Sequence, residues 1–144
     1  MAVLAAALEV ESRGPKTIRR FLMGTDIIYK GGLVNSNSSG LAVAGADTSG
    51  DSCLGVACET VNNSAAGADT WVDVFVSGCF KLELSSVEQP DTGRVLYVMD
   101  DRTVGDKTAA TNDVAVGMLV ELVSATYGWV EVGNTGRGLV VATG

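Results

Sequence analysis

At 144 residues, the chain fits one domain that can bury about two thirds of its unfolded surface, so neither a disulfide nor a metal is needed to hold it together. Its net charge of −7 weighs against general nucleic-acid binding, which needs basic surface to displace counterions. With no histidine, Ser-His-Asp and Cys-His catalysis and most transition-metal sites are excluded.

Hydrophobic residues make up 47% of the chain and charged residues 19%, with a mean hydropathy of +0.28. Extra apolar surface buried in an oligomer would account for this, as would an Ala/Val-rich core. Eighteen glycines and two prolines favour short strands and tight turns over long helices, in which each glycine costs about 1 kcal/mol relative to alanine.

Residues 2–8 are apolar but too short for a membrane span, and no positive segment precedes them. Synthesis in the cytoplasm, with no membrane partner, is the expectation. Residues 1–24 carry Arg13, Lys16, Arg19 and Arg20 against Glu9 and Glu11, a balance of +2. The other 120 residues carry six basic and fifteen acidic groups, a balance of −9. Gly14-Pro15 interrupts the leader. The leader reads as an N-terminal arm over 1–24, or alternatively as an ordinary first strand with a frayed end.

From Thr25 the pattern has period two. Trp71-Val72-Asp73-Val74-Phe75-Val76 puts valines on one face and Trp71, Asp73 and Phe75 on the other. Cys79 to Leu84 turns Phe80, Leu82 and Leu84 inward, and Trp129-Val130-Glu131-Val132 alternates again. These predict half-buried antiparallel strands. Val114 to Val123, rich in valine around Gly117, predicts a strand buried on both sides. Asn, Asp and Gly clusters at 30–32, 35–40, 45–51, 62–68, 90–93, 100–101 and 105–113 predict the turns. The fold class expected is all-β: a compact barrel- or sandwich-like body of short antiparallel strands over 25–133, with an extended N-terminal arm and a Gly-rich tail over 134–144.

Leu54-Gly55-Val56-Ala57-Cys58-Glu59 is echoed by Val116-Gly117-Met118-Leu119-Val120-Glu121. Each segment precedes a tryptophan strand and follows a tyrosine strand, Ile27-Ile28-Tyr29 or Val95-Leu96-Tyr97. The order predicts two similar β-meanders closing one barrel-like core, unless the likeness is chance among valine-rich strands.

Cys53, Cys58 and Cys79 are odd in number and lack CxxC spacing, which favours free thiols over a disulfide framework or a zinc site. Gly105-Asp106-Lys107-Thr108 lacks the glycines of a phosphate loop, and Asp100, Asp101 and Asp106 lack calcium-loop spacing. No catalytic, metal or cofactor residue is assigned, and no enzyme activity is expected. Candidate sites are contact surfaces. They comprise Trp71, Phe75, Tyr127 and Trp129 for self-association or a partner, if the valine faces make the core. The other reading puts these aromatics at barrel ends or under loops.

The order of segments carries a resemblance: the basic leader; Gly-Thr-Asp-Ile-Ile-Tyr-Lys-Gly-Gly-Leu-Val (24–34); Cys-Leu-Gly-Val-Ala (53–57); Val-Phe-Val-Ser-Gly-Cys-Phe-Lys-Leu (74–82); Thr-Gly-Arg-Val-Leu-Tyr-Val-Met-Asp (92–100); Val-Ala-Val-Gly-Met-Leu-Val (114–120); and Trp-Val-Glu-Val (129–132). Over roughly residues 20–133 this resembles the small capsid cement, or decoration, proteins of tailed bacteriophages. The resemblance implies a structural virion protein, usually a homotrimer, on the outer surface of the expanded capsid, clamping neighbouring major capsid subunits. An arm contacting the shell would then use Arg13, Lys16, Arg19, Arg20 and Phe21. The alternatives are another virion β-domain (head fibre base, tail or baseplate part) or a small carbohydrate-binding β-domain.

Overall fold

A computed structural model describes residues 4–65 and 69–133. Eleven strands run in order: β1 (Ser12–Leu22), β2 (Ile27–Ile28), β3 (Leu33–Ser36), β4 (Ala42–Ala44), β5 (Ser52–Ala57), β6 (Val61–Asn62), β7 (Trp71–Ser85), β8 (Val95–Val98), β9 (Thr103–Gly105), β10 (Ala115–Leu122) and β11 (Tyr127–Val132). The only helical element among the described residues is a 3-10 turn at Gln89–Asp91.

The fold is all-β, with a closed five-stranded barrel and extra strands packed outside it. The barrel runs β7–β11–β10–β8–β9 and back to β7. Every pairing round it is antiparallel except β7–β9, where Glu83, Leu84 and Ser85 run parallel to Thr103, Val104 and Gly105. A barrel this small needs sharply bent strands, and bulges supply the bend. In β10 the register slips between Ala115 and Gly117 against β8, and between Leu119 and Glu121 against β11. β10 is therefore not buried on both sides as its unbroken apolar run predicts: Val116, Gly117 and Leu119 are buried, Met118, Val120 and Leu122 half-buried, and Glu121 exposed.

β7 organises the molecule. It pairs with β1, β5, β9 and β11, and it supplies two separate cores. Val72 and Val74 pack with Met23, Ile28, Val34, Ala42 and Ala57. Phe80, Leu82 and Leu84 pack in the barrel with Leu96, Val98, Val104, Leu119 and Val130. Between the two halves lies a bulge, where Thr17 faces Ser77 but Ile18 faces Phe75, leaving Val76 as the extra residue. An extra residue moves the following side chains to the other face. Phe75 and Phe80, five apart, accordingly lie on one face with ring centroids 5.6 Å apart.

The bulge also corrects the expected doubled meander. Both echoed pairs form as antiparallel neighbours, β5 with β7 and β10 with β11. The barrel, however, is closed by β7 and the second unit alone. β3 and β4 extend the sheet beyond β5, and β2 pairs with β6 in a separate two-stranded sheet. β7 changes face between the halves, so the two units bury their apolar sides in different cores.

Turn chemistry is local. Asn37 Oδ1 accepts from the Ser39 and Leu41 amides between β3 and β4, and Ser124 Oγ accepts from Thr126 and Tyr127 between β10 and β11. The Asp47 carboxylate holds the 105–113 loop by accepting from the Thr111 and Asn112 amides.

Residues 4–11 lie across the body. Leu4 is buried, its amide donating to Asp101 Oδ1 at 2.8 Å, and the Leu8 amide donates to the Lys30 carbonyl. Asp101 is only 5% exposed. Burial pushes its carboxyl above the usual carboxylate range, the Leu4 hydrogen bond opposes that, and the Asp100 charge adds to it. A raised folded-state pKa means stability that is fully present below the unfolded carboxylate value and lost as pH rises through the folded value. Asp101→Asn should therefore flatten the dependence of the urea midpoint on pH above that unfolded value. It should be at least as stable as wild type at neutral pH, while Asp101→Ala should be less stable because the Leu4 amide loses its acceptor. An Asn variant with unchanged pH dependence would contradict this assignment.

Candidate interaction surface

β1 arises from residues 12–22 of the basic leader, laid antiparallel along β7. Its first nine residues are all exposed, which is unusual for an eleven-residue strand in a sheet. One edge pairs with β7, and among the described residues no other strand pairs with the opposite edge. Cross-strand partners share a face. Ile18 faces Phe75, Arg20 faces Asp73, and Leu22 faces Trp71, while Arg19 faces Val74 and Phe21 faces Val72.

The basic side chains have different fates. The Arg13 guanidinium lies 4.1 Å from the Trp129 ring centroid and reaches Glu121 Oε1 at 3.0 Å. That Glu121 hydrogen bond leads the effects that push the Arg13 pKa upward. Glu121 faces Trp129 across β10 and β11, and Arg13 faces Cys79 on β7, so one arginine ties four strands together. Lys16 Nζ lies 5.9 Å from the Phe75 ring. Arg20 Nε contacts Asp73 Oδ1 at 3.2 Å. Arg19 makes no salt bridge among the described residues. Exposed ion pairs of this kind stabilise little and act mainly by orienting side chains. Phe21 turns inward and packs half-buried on the smaller core.

The aromatic candidates divide in two. Trp71 and Tyr127 are 49% and 40% exposed. Phe75 packs partly buried against the barrel core, and Trp129 is half-buried under Arg13. The valine face of β7 does form a core, with Val72 and Val74 buried, but the bulge brings Phe75 onto the barrel core as well. Ile18, 53% exposed, and Val123, 46% exposed, join the surface without having been singled out in the sequence. The signal for Ile18 was a lone β-branched apolar residue in a basic strand. No pattern marked Val123, which continues an apolar run.

Neither a family model, nor a curated protein, nor a solved structure matches this chain. Its surfaces therefore have to be read from their own chemistry. Among the described residues no group of three or more His, Cys, Asp or Glu could hold a metal ion, and no helix is long and apolar enough to cross a membrane. A shallow groove lined by Ser86, Glu88, Pro90, Asp91, Asp106, Thr108 and Ala109 gathers three carboxylates. Asp91 and Asp106 already accept backbone amides, from Glu88 and Ala109, which makes them turn-holding groups. The cysteines are free; burial pushes the Cys53 thiol up to about 12 and the Cys58 thiol to about 11. Both are protonated at neutral pH and so poor nucleophiles. The Gly-rich tail expected over 134–144 lies outside the described residues.

Proposed function

We propose that this protein is a structural virion component that binds the outside of the expanded head of a tailed bacteriophage and holds neighbouring major capsid subunits together. The observation that carries this reading is β1, a long strand in which nine successive residues face solvent along an unpaired edge. Isolated edges of this kind invite pairing with another chain. The order of segments that resembles cement proteins supplies the identity of the partner. A homotrimer would present three such edges, and simultaneous engagement would raise affinity through effective concentration. Binding only the expanded shell would stabilise that state by linkage. In this reading the protein acts without catalysis or cofactor and at the capsid surface.

The carbohydrate-binding alternative is less favoured. It needs neighbouring open aromatic faces; that of Trp129 is occupied by Arg13, and the exposed Trp71 and Tyr127 stand apart, Trp71 at the start of β7 and Tyr127 opposite Glu83 near its end.

The test is co-sedimentation with purified expanded and unexpanded capsids of the parent phage. Saturable binding to the expanded form, at hundreds of copies per head, is expected. Reversing Lys16 and Arg19 to glutamate should weaken that binding about tenfold at low salt, with less effect at high salt. Deletion of residues 1–24 is a poorer probe, because it also removes Phe21 and Met23 from the smaller core. Failure to bind expanded capsids would overturn the proposal.

A further inference from the structure

We infer that the open edge of β1 over residues 17–22 is a docking site for an extended, acidic segment of another protein, and that it is built to refuse a second copy of itself. It shares the β1 surface with the reading above but does not require the partner to be a shell protein.

The window is bounded at both ends. Toward the N-terminus, Pro15 has no amide hydrogen, Gly14 has φ of 80°, and the register against β7 breaks between Arg13 and Thr17. Toward the C-terminus, Met23 bridges Ala42, and the Gly24 amide donates to the Ala42 carbonyl, closing that side. Between them Thr17-Ile18-Arg19-Arg20-Phe21-Leu22 contains no proline, and its register against β7 is continuous from Ile18 to Leu22, the slip between Thr17 and Ile18 being the extra residue on β7. Six extended residues present roughly 20 Å of edge.

The side chains select the occupant. On one face an added strand would lie beside Ile18, Arg20 and Leu22, with exposed Trp71 beyond Leu22. On the other it would lie beside Thr17, Arg19 and Phe21. One face thus offers Ile18 and Leu22 on either side of an arginine, and the other Thr17 and the half-buried Phe21. The matching segment carries acidic residues at two adjacent central positions, one per face, with apolar residues outside them. Arg20 is already shared with Asp73, so Arg19, with no salt bridge of its own, has the greater electrostatic gain to make.

A second β1 is the wrong partner. Antiparallel self-pairing centred on the window sets Arg19 opposite Arg20, or Arg19 opposite Arg19, and parallel self-pairing sets like against like throughout. Like charges directly opposite destabilise a strand pair. The same arginines that attract an acidic strand therefore keep the edge from joining copies to one another.

The test uses the full chain and two synthetic ten-residue peptides of alternating Thr and Val, one with a central Glu-Glu pair and the other with Lys-Lys. Fluorescence anisotropy should show the acidic peptide binding at least about tenfold more tightly, with affinity falling as salt rises. Hydrogen exchange should show slowed amides confined to residues 17–22. Arg19→Glu should reverse the preference and Arg19→Lys should keep it; Arg19 is exposed, so both variants retain the fold. Equal binding of the two peptides, no binding of either, protection elsewhere on the chain, or no effect of Arg19→Glu would overturn the inference. Capsid binding that persists in a protein failing the peptide test would refute this inference alone. Peptide selectivity without capsid binding would refute only the capsid reading.

Discussion

Phe80→Ala is expected to lower the free energy of unfolding by about 3–5 kcal/mol. Phe80 is 2% exposed and stands on β7 directly opposite Val130, where the barrel half of the strand begins. Its ring meets Phe75, the residue that the bulge turns toward the same core. Truncation removes that aromatic contact and leaves a cavity between β7 and β11, two strands that are fixed by pairing on several sides and so cannot collapse into it. The loss should appear in urea denaturation as a lower midpoint at an unchanged slope. Because β7 belongs to both cores, the transition should stay single, with the smaller core unfolding together with the barrel. A loss under about 1 kcal/mol, or two separate transitions, would show that the two halves are not coupled through this strand.

Gly117→Ala should cost about 3 kcal/mol although it adds only one methyl group. Gly117 lies on β10 opposite Val132, and a Cβ there would fall on the Glu131 carbonyl and come within 2.9 Å of the Val132 Cα. Those are backbone atoms, so no rotamer change relieves the clash, and β10 must move away from β11. That opens the barrel at a pairing on which Leu119, Val130 and Val132 depend for burial. Gly55 occupies the echoed position on β5, where a Cβ would fall on the Phe75 carbonyl, and its φ of 146° adds strain for any side chain. Thermal unfolding of Gly117→Ala should show a clearly lower midpoint, and the same change at exposed Gly40, where a φ of 79° carries backbone strain but no atom lies near the Cβ position, should show a smaller one. Equal effects at the two glycines would refute the close-approach argument.

The all-β class, the strand cores around Val72, Leu82 and Val130, and the Asn- and Asp-held turns were legible locally, because alternation and turn chemistry act over a few residues. The echo of Gly55 and Gly117 was legible too, since both glycines answer the same demand for close strand approach. The candidate surface was less so. The basic residues at 13, 16, 19 and 20 were plain in the sequence, but Arg13 is held by Glu121, which is 108 residues away. The leader reads equally well as a free arm or as a strand, because what holds β1 in the sheet is the length of β7 beyond the barrel.

The chain by itself determined that this is a β protein without histidine-based chemistry, carrying a basic leader ahead of an acidic body. Only the tertiary structure decided how many cores there are and which arginines are spoken for. In β7 the even-numbered residues are buried almost throughout, so its burial alternates as an unbroken strand would. The extra residue at Val76 turns the second half over, and the same alternation then serves two cores on opposite faces. A bulge of one residue leaves the pattern of types unchanged while reversing where they point. The open edge at residues 17–22 follows from the same cause, because β1 pairs with the part of β7 that has left the barrel.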